Sequence, residues 1–199
     1  MTDIYQAVES KYGFVIPGEY REMERLGWFD PTDMSKYLWV FEAEWFRPEE
    51  ILRYEPLEYH KPGFIPFAFT GAGDNWCWHP AEHPVVLCSH DCLEGEIDAP
   101  HFLGSIYRRT LEYASGGGPI VDNEAEARAQ LEEWASRLRP FFPSTWVETL
   151  TRLARSKVVR WERGCDYGYG FLTLDQQEEL VRRDLAFPRI GEKFEWMLR

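Results

Sequence analysis

Hydrophobic and polar positions change their period several times along the 199-residue chain, and the changes mark out its elements. Ile4, Ala7 and Val8 recur at spacings of three and four behind Asp3, a good capping residue, which predicts a helix over 4–11 ended by Gly13. Pro17-Gly18 precedes a short helix over 19–26 closed by Gly27, and 28–33 reads as a polar turn. Leu38 to Phe46 is aromatic and β-branched, with Trp39, Phe41 and Ala43 alternating with Val40, Glu42 and Glu44 as a strand requires. Pro48, at a first helical position, opens a helix through Arg53. Ile65, Phe67 and Phe69 then alternate on one face, and Gly71-Ala-Gly73-Asp74-Asn75 tolerates positive φ, so the chain can reverse into Trp76 to Trp78. Pro84 begins a third apolar run, Val85 to Cys88, so the centre of the chain is predicted to be a small sheet.

Helical spacing dominates the remainder. After an acidic loop over 89–99, a helix is predicted over roughly 100–114, with Phe102, Ile106 and either Leu111 or Tyr113 facing inward. Ser115-Gly-Gly-Gly-Pro119 reads as a boundary, because three glycines loosen the chain and proline forbids a continuing helix. Beyond it, Asn123 with Glu126 forms a capping-box pattern ahead of the stripe Ala127, Leu131, Trp134, Ala135 and Leu138, which Pro140 stops. Ser144 is placed to cap a helix through Leu153, 158–161 reads as a short strand, 164–170 as a turn, and Thr173 with Gln176 as a second capping box before a helix to about Leu185. The expected fold is α+β: a domain over 1–115 with a small, mainly antiparallel sheet and helices on one face, and a mostly helical extension over 116–199 docked on it.

The ordered set of segments in the first part resembles the SUKH superfamily of fungal cell-wall regulators and bacterial toxin-immunity proteins. The residues that carry the likeness are Glu9-x-Lys-Tyr-Gly13 through Ile16-Pro17-x-x-Tyr20-Arg21, Trp45-Phe-x-Pro48-Glu-Glu-Ile51, and the Ile65-Pro-Phe-Ala, Gly71-x-Gly-Asp74, Trp76-Cys-Trp78 and Pro84-Val-Val series. The resemblance covers about 1–115 and implies a non-catalytic protein-binding module, an immunity protein that neutralises a cognate toxin, often a nuclease, by binding it. A regulatory or scaffolding role towards a cellular partner, as the fungal members have, is the alternative it implies. Residues 116–199 resemble nothing in that family.

Charge sharpens the picture. The chain carries a net charge of −12, and residues 1–115 hold 20 acidic against 9 basic side chains, whereas 116–199 hold 14 against 13. Between Glu55 and Tyr107 eight carboxylates face a single lysine, Lys61. Such a field repels nucleic acid and anionic membrane and attracts a basic protein, so no nucleic-acid partner and no membrane partner is expected. No apolar run approaches the roughly 20 residues of a membrane span, the first residues lack the pattern of an export signal, and four scattered cysteines suit reduced thiols, all of which point to the cytoplasm.

The candidate partner-binding residues follow from this field: Trp76 and Trp78, on one face of a strand, as an aromatic centre with at least one of them buried, and Asp74, Asp91, Glu94, Glu96 and Asp98 as an acidic rim. All five histidines and Cys77, Cys88 and Cys92 fall within 60–101, and period two sets Cys77 with His79, and Cys88 with His90 and Cys92. That composition would suit zinc, but the spacings match no standard zinc knuckle, so core thiols with surface histidines are expected, without cofactor or metal. No catalytic constellation is found: Ser89-His90-Asp91 alternate faces on a strand and cannot relay a proton, so no enzyme is expected. Arg152, Arg155, Lys157, Arg160 and Arg163 gather basic charge, a natural counterpart for carboxylates elsewhere in the chain.

Overall fold

The computed structural model describes residues 3–38, 43–79, 81, 84–116, 124–164 and 166–198. Among them the fold is α+β, with seven helices, a six-stranded antiparallel sheet and a two-stranded hairpin. The chain forms two units: 1–105 together with 189–199, and 106–188. Among the described residues no helix is long and apolar enough to cross a membrane.

In the first unit, α1 (Ile4–Tyr12) starts at Asp3, whose side chain accepts from the Tyr5 amide, and stops at Gly13, φ 62°. α2 (Gly18–Arg25) and α3 (Pro48–Arg53) follow as their caps suggest, and Lys11 Nζ donates to the carbonyls of Leu52 and Tyr54 to hold α1 against the end of α3. The sheet takes β1 (Ala43–Trp45), β2 (Ile65–Thr70), β3 (Asn75–Trp78), β4 (Val85–Cys88) and β5 (Glu94–Ala99) in chain order, and then β8 (Lys193–Glu195) beside β5. The alternation over 39–42 lies outside the described residues.

Tyr20 of α2, Phe14 and Phe102 of α4 (Phe102–Ala114) pack on one face of this sheet. Tyr20 is fully buried, 5.1 Å from the Trp78 ring and 5.5 Å from Phe102, and its hydroxyl donates to the Phe46 carbonyl. Phe67 lies 4.6 Å from Trp78 and 6.1 Å from Trp45, which itself stacks on Phe29 at 4.4 Å. Each of these buried rings is worth about 1.5–3 kcal/mol by area alone, and edge-to-face pairing adds to it.

Phe69 departs from the expected alternation. The β2–β3 register slips between Pro66 and Ala68, so Phe67 stays with Trp78 while Phe69 meets Phe46, 5.3 Å away, which stands beside Tyr54. Pro66 cannot donate to the ladder, and a bulge is where a central strand accommodates it. The β2–β3 turn is as expected, with Gly73 at φ 99° and its amide donating to the Thr70 carbonyl.

The second unit holds the rest of α4, then α5 (Glu124–Arg137), α6 (Ser144–Ala154), the hairpin β6 (Val159–Arg163) and β7 (Asp166–Gly170), and α7 (Leu174–Leu185). Leu131, Trp134 and Leu138 on one side and Trp146, Leu150 and Leu153 on the other fill its core, and Tyr107 stacks on Trp146 at 4.4 Å. The Tyr107 hydroxyl donates to Asp184 over 2.6 Å; burial first, and that carboxylate second, push its acidity far below that of an ordinary tyrosine. Thr173 and Gln176 form the expected capping box. Pro143, not Ser144, occupies the cap of α6, and Asn123 lies outside the described residues.

Two further expectations are corrected. Within the stretch expected to be a turn, Asp166–Gly170 is instead a hairpin strand, because Gly168 lets the Trp161 ring lie directly against the backbone, and Trp161 Nε1 donates to the Ser115 carbonyl over 2.6 Å. The glycine run after Ser115 ends a helix rather than a domain. Ser115 is buried, the Phe171 amide donates to the Ala114 carbonyl, and the division between units falls inside α4, whereas residues 189–199 return to the first sheet instead of continuing a helical extension.

Gly95 makes that return possible. A Cβ there would stand 2.5 Å from Phe194 Cζ and 2.8 Å from the Leu87 carbonyl oxygen. Gly95→Ala is expected to cost roughly 1–3 kcal/mol in urea unfolding. Adding Phe194→Ala should relieve only part of the strain, since the Leu87 oxygen is backbone; unaltered stability of Gly95→Ala would show that β8 does not pack as described.

Candidate functional site

Three segments far apart in sequence meet at the β5–β8 end of the first unit: 55–61, the loop 89–94, and 193–198. The Leu198 amide donates to the Tyr59 carbonyl over 2.6 Å, the Lys61 amide to the Trp196 carbonyl over 2.7 Å, and the Trp196 amide to the Leu93 carbonyl over 3.0 Å. Trp196, 2% exposed, is the pin between them. Its Nε1 lies 2.9 Å from the Cys92 carbonyl and 3.1 Å from that of Ser89, and its ring is 4.2 Å from His60. Burial pushes the His60 ring below the usual imidazole range, which favours the neutral form against the indole.

This arrangement leaves Leu57, Tyr59, Leu93 and Leu198 at 52, 45, 48 and 50% exposure, four large apolar side chains contributed by all three segments. Carboxylates lie beside them on the same segments. Glu55, Glu58 and Glu94 are exposed and have no cation within ion-pair range among the described residues, and Asp91 is exposed and hydrogen-bonded to the Cys92 thiol. The basic groups nearby are engaged: Lys193 binds Glu96 at 2.5 Å and Lys61 binds Glu195 at 3.3 Å. Exposed apolar side chains thus stand beside carboxylates that have no ion-pair partner among the described residues, and apolar surface can supply affinity where charge supplies steering.

Of the residues expected to form such a surface, Asp91 and Glu94 are on this edge, and Glu96 is half-buried against Lys193. Trp76 and Trp78 are 3% and 1% exposed, so they form no aromatic patch; their strand is central, between β2 and β4, and its aromatic side is the core. Asp98 is 2% exposed and accepts from the Ser105 hydroxyl, which takes it off the rim. Asp74 is half-buried in the turn, accepting the His90 amide at 2.9 Å, with His90 Nδ1 2.8 Å away. Burial alone would raise the Asp74 carboxyl, but the His90 amide and ring outweigh it and hold it below the usual aspartate range.

Among the described residues, the Cys/His window does not converge on one point. Cys77 and Cys88 are buried sheet thiols hydrogen-bonded to each other, and burial pushes Cys77 well up. Cys92 is exposed beside Asp91, and His83 lies outside the described residues. Asp74, His90 and Asp91 are the one group among the described residues whose ligand atoms come within 4.8 Å of one another. The His90 ring is turned to Asp74 rather than to its neighbour Asp91. The basic cluster of the second unit is partly paired within that unit: Arg163 with Glu178 at 2.8 Å and Arg160 with Glu162 at 2.5 Å.

Sequence reasoning missed Leu57, Tyr59, Leu93 and Leu198. They lie on connecting segments, where no periodicity marks a face, and only the pairing of β8 with β5 brings them together. No family model matches the chain, and no curated protein or solved structure matches it either.

Asp74 offers a test of the turn. A carboxyl held low in the folded state contributes stability above its unfolded pKa, about 3.9, and loses it as pH falls through the folded value. Asp74→Asn should therefore lower the melting temperature at pH 7, with the gap to the parent protein closing as pH falls below the unfolded value of about 3.9 and through the lower folded one. A gap of constant size across that range would assign the effect to packing rather than to the charge on Asp74.

Proposed function

We propose that the protein is a non-catalytic binding module whose apolar, acid-edged surface on the first unit takes a basic protein partner. The single observation behind this reading is the set Leu57, Tyr59, Leu93 and Leu198, exposed together and edged by Glu55, Glu58 and Glu94. The resemblance of 1–115 to the SUKH superfamily supplies the biological form: an immunity protein that blocks a toxin, such as a cationic nuclease, by occupying it. Blocking requires contact and no chemistry. Acidic rim groups speed the encounter with a cationic domain and discriminate against other partners, while the central leucines and tyrosine slow dissociation.

The test is capture from native-host lysate on the tagged chain, followed by binding kinetics with the purified partner. The expected result is one basic protein in stoichiometric amount. Reversing Glu55, Glu58 and Glu94 to lysine should lower its association rate on the order of tenfold or more at low salt, and by less at high salt. Leu93→Asp should accelerate dissociation instead. Failure to recover a basic partner, or a partner indifferent to both sets of changes, would refute the proposal.

A further inference from the structure

A cavity of about 670 Å³ lies along α6 in the second unit. Its floor includes Phe142 and Val147, both nearly fully buried, and its edges carry Arg139, Arg152 and Arg155, with Ser144 and Thr151 on the same side of the helix. The positions 144, 147, 148, 151, 152 and 155 recur at three and four, so one helical face builds a trough about 16 Å long. Other arginines of the unit are tied to carboxylates: Arg128 to Glu124, Arg137 to Glu133 at 3.2 Å, Arg160 to Glu162 and Arg163 to Glu178. Among the described residues, Arg139, Arg152 and Arg155 have no carboxylate within ion-pair distance, and Glu148 is the only acid on the cavity wall.

Helix C-termini favour cations, which accounts for Arg137 and Arg139 at the end of α5 and for Arg152 and Arg155 at the end of α6 taken one at a time. It does not account for three unpaired guanidinium groups around one apolar hollow in a chain of net charge −12. The hollow is within the usual size of a small-molecule site, mostly apolar with a few fixed polar groups. Guanidinium forks match carboxylate and phosphate oxygens in bidentate geometry.

We propose that this trough binds an amphipathic organic anion, an apolar body carrying a carboxylate or phosphate, with Phe142 and Val147 against the body and Arg139, Arg152 and Arg155 around the charged group. The ligand is set apart from inorganic anions by the buried floor, which contributes only if the anion has a hydrocarbon or aromatic part. It is set apart from neutral lipids by the arginines, which have no carboxylate within ion-pair distance among the described residues. This proposal is independent of the acid-edged surface on the first unit.

Titration of the full chain with 8-anilinonaphthalene-1-sulfonate, and competition by decanoate, decyl phosphate and inorganic phosphate, tests it directly. One equivalent of the dye should bind, and one or both decyl anions should displace it and raise the melting temperature, whereas inorganic phosphate should do neither. The two decyl arms show whether carboxylate or phosphate is preferred. Arg139→Gln, Arg152→Gln and Arg155→Gln together should weaken binding on the order of tenfold or more without altering the melting temperature of the ligand-free protein, since all three are exposed. Val147→Glu, placing a carboxylate at the floor, serves as a second variant and should abolish the saturable dye binding. Absence of saturable dye binding, displacement by inorganic phosphate alone, or affinity unchanged in the arginine variant would overturn the proposal.

Discussion

The first unit depends on one pairing, that of β5 with β8, which joins Glu94 to Glu195, Gly95 to Phe194 and Glu96 to Lys193 across about a hundred residues of chain. Closing so long a loop carries a large entropic cost, and two glutamates placed opposite each other add repulsion. Local groups offset both. Lys61 takes Glu195, Lys193 takes Glu96, and Gly95 admits the Phe194 ring, which stacks on Phe64 at 5.4 Å. The surface charges are screened and contribute modestly, so the greater part of the stabilisation falls to Phe194 and the buried Trp196. Once β8 is in place, Leu198 is brought beside Tyr59 and Trp196 beside Leu93, and the candidate surface exists.

That dependence explains what could be read from the chain and what could not. Helices with local signals were legible: Asp3 and Gly13 at the ends of α1, Pro48 at the start of α3, Thr173 and Gln176 before α7. The aromatic strands of the centre were legible as strands, but not as a completely buried face, because period two does not say which sheet face meets a helix. Phe69 was misassigned because a one-residue slip at Pro66 changes the side on which every later residue points. The strand β7 was read as a turn because Gly168 and Gly170 carry the composition of one; what they supply is room for Trp161 and for the backbone at Ser115.

The candidate site was legible as a field of charge and not as a surface. Asp91 and Glu94 were identified from local density of carboxylates, and they do lie exposed at the sheet end. Asp98 belongs to the same run of sequence but is the residue skipped by the register shift between Val85 and Val86, and its carboxylate is buried against the Ser105 hydroxyl. The tryptophans were drawn to the surface by their frequency at interfaces, yet a residue type enriched in both cores and interfaces identifies neither. The apolar part of the surface came from leucines and a tyrosine on loops, which only tertiary contacts could assemble.

Unpaired surface charge is common and by itself argues nothing, since exposed ion pairs add little stability and their absence costs little. What distinguishes the two regions singled out is conjunction. Glu55, Glu58 and Glu94 edge four exposed apolar side chains in one unit, and Arg139, Arg152 and Arg155 edge a buried apolar floor in the other. Water must solvate both the charges and the apolar surface at each place, and a ligand of opposite charge with an apolar part would release water from both at once. A merely soluble surface gains nothing by grouping them, because dispersed charge solubilises as well and leaves no apolar patch to aggregate. On the two proposals, each region would gain more from an occupant than from solvent, and the two proposed occupants differ in the sign of their charge.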